Sequence, residues 1–182
     1  NSWKNFNASL LPAMDSLPDC ITVAIDHRDA TLWAGSYGGG LFSISTNNSI
    51  SIYKQTSPLQ AALFSPRNYR VSGLAFDQEN NLWISNYGAE KNLHVRKSDG
   101  TWRSFTVPFP LTENAVSGIM VDDLNQKWII APNGQGIICF NHGLSIENSN
   151  DDRWKWFRTG KGNGNLPDNN VLCILIDKNS FI

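Results

Sequence analysis

The sequence predicts an all-β chain: a β-propeller fragment of about three four-stranded antiparallel blades, with a loose strand at each end. Three observations predict it. The strong hydrophobic patterning has period two, and no long stretch of period 3.6 appears. One phrase recurs: an apolar strand ending in Asp, a short polar turn, and a second strand that restarts on Trp. It stands at Ile25-Asp26 to Trp33, returns at Phe76-Asp77 to Trp83 and Val121-Asp122 to Trp128, and begins again at Ile176-Asp177. The aspartates recur about every 50 residues, the length of a four-stranded blade. The rival, an irregular β-sandwich, also has short strands and polar turns but does not require one phrase three times.

The first strand of each unit covers Cys20 to Ile25, Val71 to Phe76 and Val116 to Val121, with Val171 to Ile176 as a fourth copy. Apolar residues fall on both faces, which predicts strands covered on both sides. Four places before each Asp stand Thr22, Gly73, Gly118 and Cys173, all small, as strands crowding a central axis require. Asp26, Asp77, Asp122 and Asp177 then end the strand, each carboxylate placed to accept N–H bonds from its turn. The second strands open at Leu32-Trp33, Leu82-Trp83 and Lys127-Trp128, the wide indole suiting the gap between stacked sheets.

Glycine-rich turns at Gly38-Gly39-Gly40, Gly88-Ala89-Glu90 and Asn133-Gly134-Gln135-Gly136 lead into third strands at Leu41 to Ile44, Leu93 to Val95 and Ile137 to Phe140. Fourth strands close the units at Ile50 to Tyr53, Trp102 to Phe105 and Trp154 to Phe157. The opening Trp3-Lys4-Asn5-Phe6 repeats that closing phrase with no strands before it. The expected division is an outer strand and linker over 1–18, blades over 19–57, 70–107 and 115–159, and the start of a further blade over 166–182. A closed ring needs at least about four blades. Either this is a piece of a larger propeller, or two copies complete one another. The loose ends belong to one mixed blade or to two half-blades. Unpaired edges invite association, so further blades and a homodimer through open blade edges are the expected partners.

Composition excludes several classes. The formal charge is -1 over 182 residues, which gives no electrostatic case for nucleic acid or an anionic membrane. No apolar run approaches the roughly 20 residues of a membrane span, no signal peptide opens the chain, and both ends read as trimmed. Cys20, Cys139 and Cys173 are sparse and far apart, reading as buried thiols and not a disulfide framework or zinc site.

The phrase Trp33-Ala34-Gly35-Ser36-Tyr37-Gly38-Gly39-Gly40-Leu41, with Leu166-Pro167-Asp168-Asn169-Asn170-Val171, resembles the regulator-propeller repeat of hybrid two-component sensors from gut bacteria. The first unit matches best. Ser85 and Ile130 replace the family's Gly after Trp, Lys127 replaces its Leu, and Pro132 interrupts the third unit. The resemblance implies a periplasmic sensor half built of multi-bladed propellers. An immunoglobulin-like domain, membrane helix, histidine kinase, receiver and DNA-binding module would follow it. It also implies oligosaccharide ligands, and a segment that is no enzyme itself and makes no direct membrane contact.

No catalytic constellation, cofactor motif or metal spacing is expected. His27, His94 and His142 sit at different places in the repeat and read as solvated turn or strand residues. The repeated aspartates read as turn caps. Asp151-Asp152 and Glu147 lie in a polar loop where a solvated insertion outweighs a calcium role. Asn7-Ala8-Ser9 and Asn47-Asn48-Ser49 match a glycosylation tripeptide by chance. The candidate site is one rim of the ring, where second-to-third-strand loops and inter-blade loops share a face. Those loops carry Tyr37, Asn86, Tyr87 and Asn133, and then Arg67, Asn68, Tyr69 and Arg70. Aromatic plates with amide and guanidinium donors suit a sugar face. The alternatives are a streptogramin-lyase-like propeller enzyme and a protein-interaction propeller.

Overall fold

The computed structural model describes residues 5–177. It contains three separate four-stranded antiparallel sheets, each a meander in chain order. The first holds β1 (Cys20–Ile25), β2 (Leu32–Ser36), β3 (Gly40–Ile44) and β4 (Ile50–Tyr53). The second holds β5 (Val71–Phe76), β6 (Leu82–Asn86), β7 (Leu93–Arg96) and β8 (Trp102–Phe105). The third holds β9 (Ile119–Val121), β10 (Lys127–Ile130), β11 (Ile137–Asn141) and β12 (Arg153–Phe157). The first strands contact one another from sheet to sheet, β1 against β5 and β5 against β9. The sheets therefore stack side by side as propeller blades do.

Two apolar layers hold the stack. Trp33 and Leu41 meet Val71, Leu74, Leu82 and Ile84 between the first and second blades. Trp83, Leu93, Val95 and Phe105 meet Ile119, Ile129, Ile138 and Phe140 between the second and third. Within each blade the last aromatic of the fourth strand lies against the Trp of the second strand: Trp33 with Tyr53, Trp83 with Phe105 and Trp128 with Phe157, ring centroids 5.5, 5.7 and 5.3 Å apart. This pairing explains why both positions are aromatic in every unit. A third cluster, Leu17, Ala34, Phe42 and Ile44, lies on the first blade under Phe6, Leu11 and Met14.

The aspartate turns form as the repeat predicts. Asp77 Oδ1 accepts from Glu79 N and Asn81 N, and Asp122 Oδ1 from Leu124 N and Gln126 N. In the first blade Asp26 accepts from Arg28 N, and the Arg28 guanidinium grips both carboxylate oxygens. That hydrogen bond holds the Asp26 carboxyl below its ordinary range, against the opposing effect of burial. The turn there is one residue longer, and Asp26 is engaged by Arg28.

The small residue four places before Asp also has its reason. A Cβ added to Gly73 would lie 2.5 Å from the carbonyl oxygen of Ser117 and 2.9 Å from Ile119 N, so β5 and the start of the third blade touch backbone to backbone there. Both β1 and β5 shift register at this point, between Cys20 and Thr22 and between Val71 and Gly73.

Several expectations need correction. The first strand of the third blade begins at Ile119 and not at Val116, because Ser117 N and Gly118 O bond irregularly to Ile130. Strand β1 is covered on one side only: Ile21, Val23 and Ile25 are 52, 62 and 52% exposed. Thr22 and Ala24, on its other side, are half-buried. Residues 171–177 form no strand, and Leu172 and Leu175 are largely exposed. Of the opening phrase, Trp3 and Lys4 lie outside the described residues; Asn5 and Phe6 form no strand, and a short 3-10 helix follows at Pro12–Ser16. Cys20 and Cys173 are exposed, whereas Cys139 is buried. His94 and His142 are buried, not solvated.

Candidate functional site

The rim carrying the β2–β3 and β6–β7 turns brings three of the expected residues together. Tyr37, from the β2–β3 turn, and Tyr87, from the β6–β7 turn, meet edge to face with centroids 5.5 Å apart and planes at 63°. Arg70, just ahead of β5, sets its guanidinium carbon 5.0 Å from the Tyr37 ring centre and 5.7 Å from that of Tyr87. All three side chains are half-buried. The turns are fixed from below: Tyr37 N donates to Asp19 O, and Tyr87 N to Arg70 O. Arg70 Nε is buried and lacks a hydrogen-bond partner among the described residues. Burial pushes the Tyr37 hydroxyl above its ordinary range, with Tyr87 adding to the effect and Arg70 opposing it.

The other expected residues take different places. Asn86 is fully buried. Its Oδ1 accepts from Gln60 N and pairs with His94 Nε2, and its Nδ2 donates to Arg70 O. It therefore anchors Arg70 from beneath and does not face a ligand. Tyr69 packs on the core between the first two blades, and its backbone bonds to Gly38 and Gly40. Arg67 and Asn133 are exposed, Asn133 in the left-handed region at φ 62. Asn68 holds its own loop through Ser65 Oγ.

Sequence reasoning missed two parts of this rim. The connection between β4 and β5 folds on itself through bonds among Ala62, Ser65 and Asn68, and Leu63 N donates to Gly88 O of the β6–β7 turn. Its tip exposes Leu63 and Phe64, Phe64 by 79%. Glu113 and Asn114, both in the left-handed region at φ 55 and 48, pass beside the same turn, where Gly88 N donates to Asn114 O. Two consecutive non-glycine residues in that region are a strained arrangement that no local pattern signalled.

Among the described residues no three His, Cys, Asp or Glu side chains gather closely enough to hold a metal ion. No helix among them is long and apolar enough to cross a membrane.

No family model and no curated protein matches the chain by sequence. Solved structures do match in shape. One is PorZ, an essential bacterial surface component of the type-IX secretion system of Porphyromonas gingivalis. It superposes with TM-score 0.80 at 22% identity, over 99% of this chain and 26% of that one. The extracellular domain of a putative hybrid two-component system from B. thetaiotaomicron gives 0.63 at 23% identity, over 89% and 20%. Virginiamycin B lyase from Staphylococcus aureus gives 0.58 at 15% identity, over 81% and 45%. The chain thus spans about a quarter of PorZ and a fifth of the sensor domain. At these identities the likeness concerns the fold, which sensors, surface components and enzymes share. With the three stacked meanders, it makes this chain a three-blade segment of a β-propeller.

Proposed function

We propose that this chain is a non-catalytic, ligand-sensing segment of the extracytoplasmic, periplasmic sensor domain of a hybrid two-component histidine kinase, and that its rim contacts an oligosaccharide. The observation that carries this reading is the Tyr37–Tyr87 pair capped by Arg70. Two aromatic faces meet a guanidinium whose Nε is buried without a partner. An aromatic surface beside a guanidinium suits a sugar ring, which offers C–H faces and hydroxyl acceptors together. Arg67 and Asn133 would extend the contact as exposed donors, while Asn86 and Tyr69 position the loops. The shape shared with an extracellular two-component domain supports the compartment and the class. Further blades, or a second copy, would cover the open face of β1. The reading is tested by titrating oligosaccharides into a full sensor domain and its Tyr87→Ala variant. A protein partner captured at this rim, with no saccharide binding, would favour the interaction-module reading instead.

A further inference from the structure

The face opposite the rim carries a groove that the repeat does not explain. It runs between the second and third blades, has a volume of about 340 Å³, and is lined by Glu79, Lys97, Asn125, His142 and Glu147 among others. Polar links bridge the blades across it. Lys97 Nζ meets Glu147 Oε1 at 2.7 Å, and Asn125 Nδ2 donates to Glu79 Oε2 at 2.9 Å.

Beneath it lies a position where the third unit departs from the other two. Leu32 and Leu82 open β2 and β6, but Lys127 opens β10. Lys127 is fully buried. Its Nζ donates to Asn125 O, Asn125 Oδ1 and His142 Nδ1, and lies 4.4 Å from the Trp83 ring centre. Because the ammonium donates to Nδ1, the neutral His142 carries its proton on Nε2. That Nε2–H has no partner among the described residues, is not sealed from solvent, and belongs to a side chain more than nine-tenths buried in the groove wall.

The groove thus offers one fixed neutral donor and an excess of negative charge. Of the charged residues that line it, Glu79 and Glu147 outnumber the single cation Lys97. Glu147 is neutralised by Lys97 and Arg103. Glu79 is exposed and has no cation within ion-pair distance among the described residues. We propose that this groove binds a small ligand bearing a primary ammonium group and an uncharged oxygen acceptor, the ammonium on Glu79 and the oxygen on the Nε2–H of His142. An amino sugar and an α-amino amide share this chemistry. The inference is independent of the rim reading, since it concerns the other face.

Calorimetric titration of the 182-residue chain at pH 7 with glucosamine and with glycinamide tests it. One or both bind, and the tighter names the source of the ammonium. Glucose and N-acetylglucosamine, which lack the charge, bind at least tenfold more weakly than glucosamine if the amino sugar is the source. Glu79→Gln, a change at an exposed side chain, lowers affinity for the bound amine at least tenfold. Acidification weakens binding as well. His142 faces Lys127 of β10, Asp77 and Glu79 of the β5–β6 turn, and Asp151 of its own loop, and its protonation sets a second cation beside the ammonium. Neither amine binding, uncharged sugars binding as tightly as glucosamine, affinity unchanged in Glu79→Gln, or affinity rising on acidification would each overturn the proposal.

Discussion

The indole N–H of Trp83 donates to Oδ2 of Asp77 at 2.8 Å, and Trp128 makes the same bond to Asp122 at the same distance. One carboxylate thus caps the turn with one oxygen and holds the blade's central tryptophan with the other. The first blade lacks the second half of this device, because Arg28 engages Asp26 there.

Removing Asp77 should therefore cost more than removing Asp26. Asp77→Ala leaves the N–H groups of the buried Asn81 and Trp83 without their acceptor, a loss of about 2–4 kcal/mol, and that of the exposed Glu79 to water. Asp26→Ala releases an Arg28 side chain that is 42% exposed and can turn to water. Urea denaturation of both variants checks the order. Equal losses would show that the tryptophan bond contributes nothing.

His94 gives the second prediction. It is fully buried, with Nδ1 2.8 Å from Ser104 Oγ and Nε2 3.2 Å from Asn86 Oδ1. Burial, the largest cause, lowers its pKa to about 4. Between pH 6.5 and 4 the unfolded chain binds a proton at this ring that the folded chain refuses. Stability is thus fully present above pH 6.5 and falls as pH drops towards 4, by up to about 3 kcal/mol from this group. Thermal melts of the parent chain and His94→Gln across that range should differ in slope, the variant being flatter.

Most of the fold was legible in the sequence because it rests on repetition. The Asp-turn, the central Trp and the closing aromatic each recur with one physical role, so three copies corroborate one another. What the sequence concealed is local and unrepeated. Apolar residues on both faces of β1 mark a strand fit to be covered twice, but the pattern cannot say whether both neighbours are present, and Val23 is 62% exposed. Asn86 looked like a rim donor because its neighbour Tyr87 faces the rim, yet alternation along a strand end turns the two side chains opposite ways. Lys127 read as a departure from a Leu position, and only its contact with His142 gives it a partner.

Lys127 supplies the third prediction. Burial lowers its pKa from 10.5 to about 8, with Asp77, Glu79 and Asp122 opposing. Between pH 8 and 10.5 the unfolded chain holds the lysine proton more firmly than the folded chain, so this residue makes stability rise with pH there. Cys139, raised to about 11 by burial, acts in the opposite direction between pH 9 and 11. The two separate in a difference experiment. Subtracting the stability of Lys127→Leu from that of the parent removes the shared cysteine contribution, and the difference should climb as pH passes 8. A flat difference would mean that the ammonium stays hydrated.

Gly73 supplies the fourth. Its α-carbon faces Ser117 O and Ile119 N across the blade interface, with no room for a methyl group. Gly73→Ala should push the second and third blades apart and cost about 1–3 kcal/mol by overpacking. Gly118→Ala, which would meet only the flexible Ile130 side chain at 3.3 Å, should cost less. The comparison by denaturant melts distinguishes backbone contact at the axis from a general penalty for removing glycine.

The rim prediction separates anchors from contacts. If Tyr37, Tyr87 and Arg70 meet a sugar directly, Tyr87→Ala should weaken oligosaccharide binding to a full sensor domain by about 1–3 kcal/mol, with little change in melting temperature. Asn86→Ala should act differently. It frees His94 and the Gln60 amide and loosens the support under Arg70 O, so it should lower the melting temperature and weaken binding together. Arg70→Lys is the sharper test. A lysine keeps the charge, but it lacks the planar group set near both rings and the buried Nε donor. Affinity restored to the parent value by Arg70→Lys would reduce the site to a diffuse positive charge. Affinity lost as fully as in Arg70→Ala would assign recognition to the guanidinium itself.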